Sequence, residues 1–325
     1  MEPISLPSPP SVDREALALR QVEAEIRKVL VGQDALMERL LVGLLARGHL
    51  LLEGVPGLAK TLAVKTLART LALDFKRVQF TPDLLPADLV GTLVYDPRNG
   101  EFSPKKGPVF TNVLLADEIN RTTPKTQSAL LEAMNEYQVT VDSHSHPLPQ
   151  PFLVIATQNP VEHHGTYPLP ESQLDRFLMR VHMGYPETGS EREIVRGEAG
   201  AAQLEGVQPV LGSAEVLAVQ EEVTRVRVDD SLVEYTLAIV GRTRESSYLS
   251  LGVSPRGSMM LYRAAQAMAF LDGRTFATPE DFKSLAVPVF AHRVVVNGRY
   301  SSTLKKIEQA EQILREIVES VDVPV

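Results

Sequence analysis

The 325 residues carry 33 Lys plus Arg against 41 Asp plus Glu, a net charge of −8 shared by both halves, which disfavours binding driven mainly by nucleic-acid phosphates or anionic lipid. Hydrophobic residues make up 44% and charged residues 23%, an ordinary globular balance that excludes collagenous and disordered classes and allows one large domain or two. The lack of cysteine excludes disulfides, thiolate metal sites and thiol chemistry, and fits a cytoplasmic setting.

Residues 1–13 read as a loose tail without the basic-then-apolar order of an export signal, and no apolar stretch reaches the length of a membrane span. From Arg14 to Val29 the apolar positions Leu17, Val22, Ile26 and Val29 recur at near-helical spacing. After a break at Val31-Gly32-Gln33, Leu36, Leu40, Leu41 and Leu44 continue the pattern, so two helices precede the first strand. That strand is the apolar run His49 to Glu53. A glycine loop follows, Gly54-Val55-Pro56-Gly57-Leu58-Ala59-Lys60-Thr61, and then Leu62, Val64, Leu67, Ala68 and Leu71 at helical period.

The order strand, glycine loop, helix suits a phosphate chain. Small residues let backbone N–H groups turn inward, and the helix N-terminus adds the positive end of its dipole. Lys60 is expected to reach the β- and γ-phosphates and the Thr61 hydroxyl to bind Mg²⁺. Ala59 stands where a second glycine is usual, so the loop is expected to keep φ negative there.

A second element supports this chemistry. Asn112 to Glu118 is a buried-type strand ending in adjacent carboxylates, which an apolar strand would not carry without a use for the charge. Asp117 can hold the magnesium shell beside Thr61 while Glu118 polarises an attacking water.

With Val31-Gly32-Gln33 upstream and Ala156-Thr157-Gln158-Asn159-Pro160 downstream, the chain resembles an AAA+ ATPase, specifically of the MoxR family, from about Glu25 to its C-terminus. Phe80 to Asp88, Asp117-Glu118-Ile119-Asn120-Arg121 and Leu169 to Phe177 add to the likeness, and alanine at position 59 is usual in that family. The resemblance implies an α/β fold: a P-loop core with a central parallel sheet flanked by helices (14–187), a connecting segment (188–212) and a smaller all-α lid (213–325). It assigns nucleotide contacts, to ATP or ADP with Mg, to Val31, Gly32, Gln33, the stretch Gly54 to Leu62, and Asp117. It makes Asn159 the sensor that orients the water with Glu118, and Arg176 the finger that reaches a neighbouring subunit's γ-phosphate. Arg256 becomes a second sensor, reading the γ-phosphate of its own subunit.

A finger acting in trans implies a homo-oligomer, with a hexamer as the family expectation. The resemblance also implies protein clients, von Willebrand factor A partners, and roles in metal insertion or complex maturation. The stretch from Leu93 to Phe110, and Gln138–Asp142 with Ser143–Gln150, read as hairpin inserts, which in related assemblies face a pore or client.

Beyond Tyr185-Pro186 a helical pattern runs through Gly197, and five segments follow: Leu217–Val228, Leu232–Thr243, Met259–Leu271, Pro279–Phe290 and Leu304–Val321. Such a lid is expected to close over the adenine and pass the nucleotide state to Arg256. His144 with His146 and His163 with His164 invite a metal reading, but no tight acid cluster accompanies them and solvated loops explain them more simply. Rival functions share some of these parts. A magnesium-chelatase-type motor uses the same site. A nucleic-acid motor or transcriptional activator would want a basic loop or a DNA-binding domain, and neither is present. A non-hydrolysing scaffold would not need Lys60, Asp117, Glu118 and Asn159 together. A guanine-nucleotide switch would need an Asn-Lys-x-Asp motif, which is absent.

Overall fold

The computed structural model describes residues 11–54, 58–97, 101–142, 144–158, 166–298 and 303–324. Helices α1 (Ser11–Arg27) and α2 (Asp34–Leu45) come first, α1 starting at Ser11, inside the stretch expected to be tail. Val22 and Ile26 of α1 and Leu36, Leu40, Leu41 and Leu44 of α2 are buried, as an apolar stripe at helical period requires, but Leu17, expected on the α1 stripe, is exposed and Leu19, three residues before Val22, takes its place. Strand β1 (Leu50–Glu53) leads to α3 (Lys60–Thr70), β2 (Phe75–Gln79) and the short α4 (Pro86–Val90). An antiparallel hairpin follows, β3 (Gly91–Asp96) with β4 (Glu101–Lys106). Then come β5 (Val113–Asp117), α5 (Pro124–Glu136), a second hairpin of β6 (Gln138–Val141) and β7 (His144–Pro147), β8 (Leu153–Gln158), α6 (Glu171–Leu174) and β9 (Met179–His182).

Five of these strands form one sheet in the order β2-β5-β8-β1-β9, with every neighbouring pair parallel. Side chains alternate between its two faces. Leu50, Leu52, Val113, Leu115, Leu153 and Ile155 join a core with α1, α2 and α3. Leu51, Leu114, Ala116, Val154 and Ala156 join a second core with α4 and α5. Burial on both faces explains why the central strands are continuous apolar runs. Strand β2, Phe-Lys-Arg-Val-Gln, lies at the edge with Lys76 and Arg77 exposed, and its mixed pattern gave no strand signal in the sequence.

The second half is mostly helical: α7 (Thr188–Arg196), a 3₁₀ turn at Ala201–Gly206, α8 (Ser213–Val223), α9 (Asp230–Glu245), α10 (Pro255–Leu271), α11 (Pro279–Phe290) and α12 (Thr303–Glu319). Two short strands, β10 (Leu249–Leu251) and β11 (Val295–Val296), pair antiparallel between them. The helix expected over Leu217–Val228 starts and ends earlier, at Ser213 and Val223. The Glu215 carboxylate accepts the Gly212 N–H at 2.7 Å at its start, and past Thr224 the backbone of Arg227 forms a β-bridge to Phe276. Helix α10 starts at Pro255, ahead of the expected Met259, because the Ser254 side chain caps it by accepting the Gly257 N–H.

This helical lid shares the first core. Helix α10 packs on α1 and α2, α8 on α2, and α11 on β9. Among the described residues, no helix is long and apolar enough to cross a membrane.

Candidate functional site

The sheet's parallel order brings the C-terminal ends of β1, β5 and β8 to one edge, and the sequence-predicted phosphate and acid residues meet there. At the exit of β1, a Cβ on Gly54 would stand 2.9 Å from the Met183 carbonyl oxygen, so the backbone approach requires glycine. Val55, Pro56 and Gly57 lie outside the described residues. Ala59 has φ 58° and ψ 28°, the left-handed region, so the expectation of a negative φ is wrong. The reason is geometric: the chain turns into α3 at Ala59, and no side-chain cap forms there. Among the described residues nothing caps the first N–H groups of α3, which suits them to an anion, aided by the helix dipole.

Lys60 opens α3 and its Nζ donates to the Gly54 carbonyl at 2.5 Å. Burial pulls its pKa down, while the charges of Asp117, Glu118 and Glu53 push the other way. Thr61 and Leu62 follow, half-buried in the first turn.

Asp117 ends β5. One of its carboxylate oxygens accepts the Thr157 hydroxyl at 2.5 Å, and the other accepts Arg77 at 2.6 Å. Glu118 has φ 58°, again left-handed, and its carboxylate accepts Gln79 Nε2 at 2.7 Å and pairs with Arg121 at 3.2 Å. The Glu118 N–H donates to the Thr157 hydroxyl at 2.9 Å. Thr157, on β8 between the two motif strands, thus touches both acids. Thr157, Arg77 and Gln79 were not singled out from the sequence. A hydroxyl at the end of an otherwise apolar buried strand was the available signal for Thr157; nothing comparable marked the two residues of β2.

Gln33 Nε2 donates to the Gly184 carbonyl at 3.2 Å, and Gly32, at φ +72°, lies against Ser190 of α7, where a Cβ would meet its hydroxyl at 2.5 Å. Val31, Gly32 and Gln33 therefore join the same edge, since Gly184 follows the end of β9 and Met183 N–H bonds the Glu53 carbonyl. The lid reaches this edge through α12. Arg180 of β9, buried, lies 3.7 Å from Glu53 and 3.5 Å from Glu311. Burial pushes the Glu53 carboxyl up.

The two other arginines sit elsewhere. Arg176, just after α6, donates to the Leu131 carbonyl at 3.2 Å beside Glu132, Asn135 and Glu136, at the entry of β9. Arg256, exposed in the first turn of α10, stands near the same end: Ser254 Oγ donates to Asp175 at 3.0 Å, and buried Arg293 donates to the Asp175 carboxylate at 2.9 Å and to the Leu178 carbonyl at 3.2 Å. Strands β1 and β9 are parallel and in register from Leu50↔Met179 to Glu53↔His182. Arg256 is thus near the sheet's entry edge and Lys60 at its exit edge, separated by more than the roughly 10 Å of a four-residue strand. The expectation that Arg256 reads its own subunit's γ-phosphate does not fit that placement.

Asn159 lies outside the described residues, as do His163 and His164. His144 bonds the Asp142 carbonyl at 2.9 Å and His146 packs on Phe110. No cluster of three or more His, Asp or Glu that could hold a metal occurs among the described residues. A cavity of about 960 Å³ between the core and lid, lined by Arg47, Tyr137, Phe152, Tyr262 and Arg263, opens near the start of β1, away from Lys60.

Residues 49–179 match the family described as the ATPase family associated with various cellular activities (AAA), and residues 241–317 match an AAA lid domain. The chain is 49% identical to the uncharacterized protein YeaC of Bacillus subtilis, covering 92% of this chain and 93% of that one. It is 43% identical to the chaperone MoxR1 of Mycobacterium tuberculosis, covering 95% and 83%. A solved chain from Cytophaga hutchinsonii, provisionally designated an ATPase, superposes with a TM-score of 0.88 at 44% identity, covering 97% of each.

Proposed function

Given that this chain belongs to the MoxR family of AAA+ ATPases, we propose that it hydrolyses ATP in a magnesium-dependent reaction and uses the subunit motion to remodel protein clients. The observation that carries this reading is the parallel order β5-β8-β1, which brings Lys60, after β1, and Asp117 with Glu118, at the end of β5, to one edge of the sheet beside the N-terminus of α3.

The Thr61 hydroxyl and the Asp117 carboxylate are hard oxygen donors, the kind Mg²⁺ takes alongside phosphate oxygens and water. An ion held by these two side chains would supply charge neutralisation on the phosphate oxygens. Lys60 and the α3 N–H groups hold the phosphates. Glu118, aimed by Gln79 and Arg121, accepts the proton of the water that attacks the γ-phosphorus. The new P–O bond forms as the bond to the bridging oxygen breaks, leaving ADP and phosphate. Asn159 is assigned to orient that water. Thr157 fixes the two acids relative to each other.

Arg176 and Arg256 face the opposite edge, so in this reading both act on the nucleotide of a neighbouring subunit, and the active form is a ring, a hexamer by family expectation. The hairpins β3–β4 and β6–β7 are the proposed client-facing loops. Partners with von Willebrand factor A domains, a role in metal insertion or complex maturation, and a cytoplasmic location belong to the same proposal, supported by family membership.

Lys60→Ala is expected to abolish nucleotide binding, whereas Glu118→Gln should bind ATP and fail to hydrolyse it. Arg176→Ala should bind normally and lose about 10³-fold or more in turnover. Mixing Arg176→Ala with Glu118→Gln chains should restore activity, because an intact finger then meets an intact acid. Absence of rescue in mixed oligomers would refute the trans assignment. Proteins retained by Glu118→Gln with ATP but not by Lys60→Ala are the client candidates; nucleic acid recovered in their place would overturn protein remodelling.

A further inference from the structure

Two exposed apolar patches stand on opposite edges of the molecule. The first is α7 and the loop before it. None of the nine residues of α7 is buried; Ile194 is 44% exposed, Val195 81% and neighbouring Tyr185 79%. Isolated helices shorter than about 12–15 residues are marginal in water, and packing of an apolar face is what normally holds them. Here that face is uncovered by the described residues. The contact of Ser190 with Gly32 fixes α7 beside the nucleotide edge.

The second patch lies between α9 and α10. Leu237, 48% exposed, and Met259, 56% exposed, line a cleft of about 240 Å³ with Val233, Ser258 and Tyr262. The Ser258 hydroxyl is buried there without a hydrogen-bond partner among the described residues. Arg256, Met259 and Arg263 follow one another at helical steps, so they share one exposed face of α10.

We propose that α7 of one subunit docks in the α9–α10 cleft of a neighbouring copy of this chain. Charge complements the apolar surface in part: Glu187 and Glu191 precede Val195 at four-residue steps, with Arg192 beside Glu191 on the same face, and Arg256 and Arg263 flank Met259. Placement also matches, because docking sets the neighbour's Arg256 against the edge that holds Lys60. The two surfaces differ and lie on opposite edges, so the contact is heterologous and propagates into a ring or an open helix. The identity of the occupant rests on the trans reading above; the contact itself is the added inference.

The chain has no cysteine, so Val195→Cys and Met259→Cys each supply a single thiol. The two variants, mixed with ATP and Mg²⁺ and treated with a short bismaleimide, are expected to give a cross-linked dimer that neither gives alone. A cross-link within the Val195→Cys variant alone, or none in protein that sediments as an oligomer, overturns the docking. The Arg176→Ala and Glu118→Gln mixture is read alongside. Rescue without the cross-link condemns the docking only, the cross-link without rescue condemns the trans site only, and a monomer at all concentrations condemns both. Glu191→Arg should raise the concentration for half-assembly about tenfold, and adding Arg263→Glu should reverse that. An unchanged midpoint in Glu191→Arg overturns the charge match.

Discussion

Two residues of the site hold backbone conformations that side chains disfavour. Ala59 and Glu118 both have φ 58°, one at the turn into α3 and the other at the end of β5. For an L-residue the left-handed region costs roughly 1–2 kcal/mol, and such strain gathers where a fold must aim groups at a ligand. At Glu118 the turn carries the carboxylate toward Gln79 and Arg121, away from the line of the strand. At Ala59 only a methyl group suffers. Ala59→Gly removes that clash and adds some unfolded-state entropy, so unfolding in urea should show a net gain of about 0.5–1 kcal/mol. An unchanged or lower stability would mean that Ala59 is not strained.

Between elements, the lid is tied to the core by a buried ion pair that the sequence did not mark. Arg293, beyond α11, bonds the Asp175 carboxylate and the carbonyls of Asp175, Phe177 and Leu178, and its side chain is only 1% exposed against 24% for Asp175. Burial pulls the guanidinium down to about 10, so it stays charged at neutral pH. Gly257 makes room for it, since a Cβ there would stand 2.9 Å from the Arg293 Cδ. Removing one partner of a buried pair costs about 3–5 kcal/mol, less where one partner reaches water. Arg293→Met should therefore lower stability by about 3 kcal/mol while nucleotide affinity stays unchanged, because Lys60 is at the other edge. A double-mutant cycle with Asp175→Asn checks the cause: additive losses would show that the pair is not what links the lid to the core.

The molecule as a whole has an acid limit set by two fully buried histidines on its entry side. His49 accepts the Val154 N–H at Nδ1 and contacts the Met134 carbonyl through Nε2, and burial lowers its pKa to about 4. His292 is lowered well below the usual value, by burial first and then by Arg293 and Arg180. Below about pH 6.5 the unfolded chain binds these protons and the folded chain does not, so folding stability is complete above that pH. It falls as pH drops toward 4, by roughly 3 kcal/mol for His49 alone. His49→Gln, which can keep one accepted and one donated bond, should flatten the pH dependence of the urea midpoint between about pH 4 and 6.5, with a residual slope from His292. An undiminished slope would exclude His49 as a source.

Strands β1 and β5 were legible because they are buried on both faces and so read as unbroken apolar runs; the loop ending in Lys60-Thr61 and the acids at 117 and 118 follow them at fixed spacing. What depends on spacing along one chain could be read directly: the strand–loop–helix, the acid pair and the helical period of the lid. Edge strand β2 could not, because its partner covers only one side, nor could Thr157, whose role comes from β8 lying between β5 and β1. The placement of Arg256 belongs to the same class. Its helix was visible in the sequence from Met259 on, but the earlier start at Pro255 and the end of the sheet that Arg256 faces are fixed by Asp175, Ser254 and Arg293, residues up to 118 positions apart, and only packing brings them together.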